Sequence, residues 1–398
     1  MTRAPAGRGP LAGLRIVEST AFVAAPLATM SLAQLGAEVI RLDPPEGGLD
    51  SRRWPLAPSG ASLYWAMLNR GKKSVTLDLR LPEGRQAAAD LVCAGDGGDP
   101  GAGGIFVTNL PTRGPLTPAA LLARRPDCIV VTLDGSPDGQ SAIDYTVHAA
   151  CGAAMMTGAA GDAAPVNNAV PFWDVICGRT LAMGILAAVV DRMRTGRGQH
   201  IALSLSDVAM ETMANLGILG EAELTGQARP RDGNWVYGSF GHDFPTRCGR
   251  RVMLVAVTAK QWRGLVDVAG LGAQMARLEA EHGLSLDDEH ARHSLRHAIG
   301  AALQGWTMRH DLADLARLFA GTAVCWGPVR DTGQMLDEDA RASAANPMFV
   351  RQAHPGIGAL LTPRSPLRLS AHPDLPAAAA PVAGGDTLAV LHPGAEGA

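Results

Sequence analysis

The feature that most constrains this chain is a strand–helix–strand succession close to its start. Residues 14–17 form a short apolar run. A stretch at helical spacing follows, with Leu27, Met30, Ala33 and Gln34 on one face and Pro26 suited to its first turn. Gly36 breaks it, and residues 38–42 read as a second strand. The three pieces span about thirty residues, the size of a βαβ unit. Residues 75–79, 105–108 and 129–133 read as further strands, with helices over 82–92 and 118–124 between them. Strands alternating with helices predict a mostly parallel sheet covered by helices on both faces.

The first ten residues read as a tail, and the Gly- and Asp-rich segment 95–104 as a loop. A long helix is expected from Asp174 to about Arg194, stopped by Thr195-Gly196-Arg197-Gly198. A strand over 200–205 and a helix over 207–219 follow. Then 227–245 turns loop-rich, 252–257 reads as a strand, 261–310 as largely helical and 324–329 as a strand. The expected fold is α/β, a large Rossmann-like domain with a parallel sheet plus an inserted small α+β domain. The boundaries are 1–221 for the first part of the large domain and 222–322 for the small one. Residues 323–398 return to the large domain and add a Pro- and Ala-rich C-terminal extension. A chain of 398 residues suffices for this and buries a core without disulfides or metals.

Composition narrows the function. A net charge of −3 argues against a strongly basic nucleic-acid binder. The six cysteines contain no C-x-x-C pair, which speaks against a structural zinc or a secreted disulfide framework and for a reducing compartment. No signal peptide is visible, and the clean apolar run 181–190 is too short to span a bilayer. A cytoplasmic protein without membrane or nucleic-acid partner is expected.

Most motif readings fail. Asp43 ends the second strand, where a ribose-binding acid would stand. The preceding turn reads Glu18-Ser-Thr-Ala-Phe-Val-Ala-Ala-Pro26, without the glycines that let a backbone approach a pyrophosphate, so no nicotinamide is expected. Walker A and G-x-S-x-G sequences are absent. His290, His293 and His297 share a helical face but lack a carboxylate partner nearby, so no metal is expected.

Two features remain. Arg41, Arg52, Arg53, Arg70, Lys72, Lys73, Arg80 and Arg113 cluster near predicted strand ends, where they either hold a phosphorylated ligand or form a solvated surface. Asp174 stands at a helix start after Pro171-Phe172-Trp173, either as an N-cap or as a carboxylate nucleophile whose ionised form the helix end favours.

The order of these pieces resembles the class III coenzyme A transferase family, which includes acyl-CoA racemases. The resemblance runs from about Leu11 to Leu391. It is carried by Leu11-Ala-Gly-Leu-Arg-Ile-Val17, Leu35-Gly-Ala-Glu-Val-Ile-Arg-Leu42, Asn69-Arg-Gly-Lys-Lys-Ser-Val-Thr-Leu-Asp78 and Thr108-Asn-Leu110. Asp174-Val-Ile-Cys-Gly178, Thr195-Gly-Arg-Gly-Gln199, Gly233-Asn234 and Trp326-Gly-Pro-Val329 complete it. Ser19 to Leu27, Gly47 to Pro55, Pro171 to Asp174 and Gly233 to Phe244 are most similar to one branch. That branch moves CoA between C1 and C4 of mesaconate, interconverting 2-methylfumaryl-CoA and 3-methylfumaryl-CoA. Racemases carry a histidine before the acid aligned with Asp144; Ile143 stands there.

The resemblance implies that Asp174 is the catalytic nucleophile, working through an aspartyl mixed anhydride and an aspartyl-CoA thioester. It implies CoA contacts from Ala24, Arg41, Leu77, Arg80, Asn109 and Leu110, with Val23 where formyl-CoA transferases place a CoA-contacting glutamine. Backbone amides of the Val23-Ala24-Ala25 turn are placed by position for oxyanion stabilisation. Substrate contacts from Ser19, Thr20, Arg52, Asn234 and Tyr237 follow from the branch. The implied partners are an acyl-CoA substrate and a second copy of the chain, threaded as an interlocked-ring homodimer. No cofactor is implied beyond the substrate's own CoA. A place in the 3-hydroxypropionate carbon-fixation cycle follows from the branch alone. An intermolecular transferase acting on two different acids and a non-catalytic acyl-CoA binder are the alternatives.

Overall fold

The computed structural model describes residues 9–95 and 102–392. Most of the expected N-terminal tail and most of the 95–104 loop lie outside the described residues. Two compact units divide the chain. The described residues of the first fall in Met1–Cys151, Asn167–Gly226 and Ala340–Ala398, those of the second in Gly152–Val166 and Gln227–Asp339.

The first unit holds strands β1 (Arg15–Ser19), β2 (Glu38–Asp43), β3 (Lys73–Thr76), β4 (Ile105–Thr108), β5 (Ile129–Asp134) and β6 (Gln199–Ser204). They lie in the order β3-β2-β1-β4-β5-β6, all parallel. This is the doubly wound order, in which strand succession reverses between β1 and β4. Val17 sits at the reversal, opposite Ile40 on one side and Phe106 on the other. The central strands are apolar without alternation: Ile105, Phe106 and Val107 are all buried, as are Ile129, Val130 and Val131. Such runs suit strands covered on both faces.

The helices are α1 (Ala24–Ala33), α2 (Leu63–Leu68), α3 (Pro82–Cys93), α4 (Pro118–Arg124), α5 (Asp144–Ala150), α6 (Ala153–Met156), α7 (Phe172–Thr195), α8 (Leu205–Asn215) and α9 (Ile218–Thr225), with α6 in the second unit. Pro82 opens α3 where its missing N–H costs nothing. Gly196 closes α7 at φ 68°, a left-handed cap that a Cβ would disfavour. The expected helix over 207–219 is broken by Gly217 at φ 74°. β3 ends before Leu77 because the Asp78 carboxylate accepts the Arg80 amide at 3.0 Å and turns the chain.

α7 has the length and apolarity to cross a membrane. Its Cys177, Leu181, Ile185 and Ala188 are buried in this unit, and buried Arg192 donates from Nη1 to the Gly103 carbonyl at 2.7 Å. That is the packing of a core helix. α7 lies along α1, and Arg179 Nη1 donates to Ser31 Oγ at 2.7 Å.

The C-terminal segment is more structured than expected. It forms an antiparallel hairpin of β10 (Phe349–His354) and β11 (Gly358–Pro363). It then covers the open edge of β3, where Asp386 Oδ2 accepts the Ser74 amide and Thr387 Oγ1 the Thr76 amide, each at 2.9 Å. Edge amides covered in this way do not recruit another strand.

The second unit is built on an antiparallel sheet of β7 (Phe240–Pro245), β8 (Arg251–Ala256) and β9 (Cys325–Pro328). Phe240, Phe244, Leu254, Trp262 and Leu265 lie in its core. Its limits differ from 222–322. Pairing of Val252 with Pro328 keeps β9 in this sheet and carries the unit on to Asp339, while α9 stays in the first unit.

Candidate active site

A cavity of about 530 Å³ opens at the C-terminal ends of β1 to β4, across the strand reversal. Doubly wound sheets bind ligands there because the two neighbouring crossovers leave in opposite directions. Leu77, Phe106 and Leu110 give it an apolar wall, and Arg80, Arg85 and Arg113 stand in its lining. Apolar surface beside guanidinium groups suits a ligand with both apolar and phosphate parts. Of the expected contacts, Ser19, Thr20, Arg41, Leu77, Arg80 and Leu110 line this cavity. Arg80 is 68% exposed, and its guanidinium is held by Asp78 at 2.8 Å and Glu46 at 2.9 Å.

Arg41 lies beneath the cavity in a buried charge network. Its Nε meets Asp43 and its Nη2 meets Asp50, both at 2.9 Å, while Nη1 donates to Asn69 at 3.2 Å and Thr20 at 3.4 Å. The guanidinium also stacks 4.5 Å from the Trp65 ring centre. Asp43 spends its second oxygen on Ser74 Oγ at 2.8 Å, so it is committed to the sheet rather than to a ribose. Lys72 is equally buried. It donates to Glu18 at 2.7 Å, to the Pro26 carbonyl at 3.0 Å and to Asn69 at 3.0 Å. Burial pulls its ammonium down to about 8.

These contacts fix the turn from β1 into α1. Glu18 also binds Thr29 on α1. Asn109 holds Ala21 with both ends of its amide, accepting the Ala21 N–H at 2.8 Å and donating to the Ala21 carbonyl at 2.8 Å. Phe22, directly after this clamp, adopts φ 68°. A left-handed phenylalanine costs about 1–3 kcal/mol and persists only where its surroundings dictate it. Ala24 is buried at the start of α1, against α7 rather than in the cavity lining. The N–H groups of Ala24 and Ala25 precede the first helical hydrogen bond of α1, from Leu27 to Val23, and Pro26, which follows them, has no N–H.

Asp174 is the third residue of α7, one turn before Gly178. Pro171 occupies the N-cap position, so Asp174 is not the cap. The buried Asp144 carboxylate, from the start of α5, accepts the Asp174 amide at 3.0 Å. The helix end was expected to favour ionised Asp174. The structure reverses this: burial first and the Asp144 charge second push its carboxyl up to about 7, against the pull of Arg53.

Arg53, rather than Arg52, is the guanidinium felt at Asp174. Its Cζ stands 5.0 Å from the Phe22 ring centre and 5.3 Å from that of Tyr64. Among the described residues it forms no ion pair. Arg52 is exposed. Tyr64 has a buried hydroxyl without a hydrogen-bond partner among the described residues, and burial raises its pKa, making the phenol a weaker acid. Phe22, Arg53 and Tyr64 have no motif spacing; only the folded loop between β2 and α2 brings them together.

Asn234 and Tyr237 belong to the second unit. Asn234 Nδ2 donates to Asp243 at 2.7 Å, and Arg229 stacks 4.0 Å from the Tyr237 ring centre. Tyr237 lines a cavity of about 430 Å³ with Trp235, His242, His293, Arg296 and His297. Trp235 stacks on His242 at 4.0 Å and meets His297 edge-on at 5.2 Å, which separates the histidines by aromatic packing. His290 is exposed beside Asp288. Among the described residues no group of three or more His, Cys, Asp or Glu side chains has the arrangement of a metal site.

The chain matches known proteins along nearly its whole length. Residues 11–387 fit the family model described as CoA-transferase family III. The chain is 44% identical over 386 residues to 2-methylfumaryl-CoA isomerase of Chloroflexus aurantiacus, covering 96% of this chain and 93% of that one. It is 28% identical over 357 residues to succinate–glutarate CoA-transferase of Agrobacterium fabrum, covering 84% of each. Among solved structures, a CAIB/BAIF family protein from Brucella suis superposes with a TM-score of 0.76 at 26% identity, covering 96% of this chain and 98% of that one.

Proposed function

Because the chain belongs to CoA-transferase family III, we propose that it moves CoA between C1 and C4 of mesaconate, interconverting 2-methylfumaryl-CoA and 3-methylfumaryl-CoA. The observation that carries this reading is the setting of Asp174: a half-buried carboxylate at a helix start, attracted by Arg53, which forms no ion pair among the described residues. The isomerase of Chloroflexus aurantiacus, similar over 96% of this chain, supports the choice of substrate.

Asp174 attacks the thioester carbonyl, the C–S bond breaks, and CoA thiolate leaves an aspartyl–mesaconyl anhydride. The thiolate attacks the aspartyl carbonyl, giving aspartyl-CoA thioester and free mesaconate. The other mesaconate carboxylate then attacks the aspartyl thioester and expels the thiolate. Return of the thiolate to the mesaconyl carbonyl places CoA on the second carbon and frees Asp174. Thioester energy is conserved at each exchange. Mesaconate that stays bound makes its second attack unimolecular, an advantage of several kcal/mol in barrier. Arg53 holds the carboxylate not bonded to CoA, and the amides starting α1 stabilise the tetrahedral oxyanions. The large cavity takes the nucleotide and pantetheine of CoA.

The family resemblance brings with it an interlocked-ring homodimer. Exposed apolar side chains on α7 to α9, among them Met183, Met193, Met210 and Leu224, are consistent with a covered surface. The resemblance to that branch supports a role in a route for C5 dicarboxylic acids such as the 3-hydroxypropionate cycle.

The test is a carbon NMR assay with 2-methylfumaryl-CoA and isotopically labelled free mesaconate. Formation of 3-methylfumaryl-CoA without label is expected. Label entering the ester means that the acid exchanges with solution, as in a transferase between two acids, and overturns the intramolecular reading.

A further inference from the structure

We propose that Asp144 is a positioning residue for Asp174: it holds the start of α7 through the Asp174 amide and sets a like charge against the Asp174 side chain, favouring the acylated forms. The proposal rests on Asp174 being the nucleophile.

Asp144 is the first residue of α5 and is 2% exposed. Its Oδ2 accepts the Asp174 N–H at 3.0 Å, while its Oδ1 is buried without a hydrogen-bond partner among the described residues. For capping alone, this is a poor choice of residue. An asparagine accepts the same N–H without burying a charge. Burial indeed raises the Asp144 carboxyl, against the pull of the Asp174 and Trp173 amides and of His148 one turn along α5.

The groups facing Asp174 are few. Asp144 comes from α5, Arg53 from the loop before α2, Tyr64 from α2 and Cys177 from α7 itself. Arg53 attracts its charge and Asp144 repels it. When an Asp174 oxygen bonds to the thioester carbon, the C–S pair departs with the CoA sulfur and position 174 becomes neutral. The anhydride and the aspartyl thioester are both neutral there, so the repulsion from Asp144 acts only on the resting carboxylate. Asp144 thereby lifts the resting state relative to each covalent state. It does so without touching substrate.

Asp144→Asn separates charge from capping, since its amide oxygen still accepts the N–H. Two measurements are made on the full-length protein. The first is a carbon NMR titration of aspartate-labelled protein, with the Asp174 signal assigned by Asp174→Asn. The second is the pH profile of kcat/KM for 2-methylfumaryl-CoA. In Asp144→Asn the titration midpoint and the acid limb should both move to lower pH, by on the order of one pH unit. On the alkaline plateau kcat should fall roughly tenfold, the rate equivalent of that shift. An unmoved midpoint or an unchanged plateau overturns the proposal. If the wild-type protein leaves 2-methylfumaryl-CoA unconverted, the substrate reading fails, whereas the NMR midpoint still decides whether Asp144 acts on Asp174. Should Asp144→Ala, which removes cap and charge together, fail to fold, the asparagine variant carries the test.

Discussion

Asn109 and Ala21 form a closed clamp: one side-chain amide accepts the Ala21 N–H and donates to the Ala21 carbonyl, both at 2.8 Å. The clamp immediately precedes Phe22, the one non-glycine residue at positive φ among the described residues. The residue expected from sequence to contact CoA thus has both polar ends of its side chain on the backbone of the β1–α1 turn. Asn109→Ala should release the strain at Phe22 and misplace the α1 amides. A fall in kcat of roughly 10²-fold is expected, the scale of a lost oxyanion donor, with less change in KM. Steady-state kinetics check this, and a change in KM alone would return Asn109 to a binding role.

Asp174 must be ionised to attack. With its carboxyl near 7, the rate should rise with pH through about 7. Asp174→Ala should remove turnover, and retention of full activity would refute the nucleophile.

The same burial links Asp174 to stability. Its folded-state value is raised above the ordinary carboxylate range, so the stability contribution is complete below about pH 4 and is lost as pH rises through about 7. Asp174→Asn should therefore be more stable than wild type at pH 8, by roughly 1–3 kcal/mol after solvent screening. The difference should vanish toward pH 4. Thermal unfolding at both pH values measures it.

Arg53, held between Phe22 and Tyr64, should distinguish dicarboxylic from monocarboxylic acyl groups. Arg53→Gln is expected to raise KM for 2-methylfumaryl-CoA roughly tenfold or more, the value of a charged hydrogen bond. It should leave KM for a monocarboxylic acyl-CoA substrate unchanged. Arg52→Gln, on the neighbour without those ring contacts, is the control.

Gly178 sets the distance between α7 and α1. A Cβ there would stand 2.6 Å from the Ala24 carbonyl oxygen, and backbone cannot yield as a side chain does. Gly178→Ala should destabilise the protein by about 3 kcal/mol and depress kcat, because both helix starts move. Denaturant unfolding with parallel kinetics tests the two effects together.

The site was only partly legible in the chain. Leu77 and Leu110 were expected as CoA contacts from the family resemblance alone, and the cavity does include them. Arg53 was indistinguishable from Arg52, since a loop has no period to tell two adjacent arginines apart. The β7 strand and the β10–β11 hairpin escaped notice. β7 carries Gly241, His242 and Asp243 among its residues, and the hairpin strands alternate weakly because they are half exposed.

What the sequence by itself determined was the periodic part. Apolar runs alternating with helical spacing required a parallel α/β sheet, and Pro82 and Gly196 marked helix ends through local backbone restrictions. Those signals act over a few residues and need no partner. The tertiary structure alone decided the chemistry of Asp174. Its place beside Asp144, thirty residues earlier in the chain, and its burial depend on chain crossings that leave no local trace. Electrostatic energies fall with distance through space, not along the chain. The same aspartate can therefore look like an ordinary helix cap in sequence and titrate near neutrality in the folded protein.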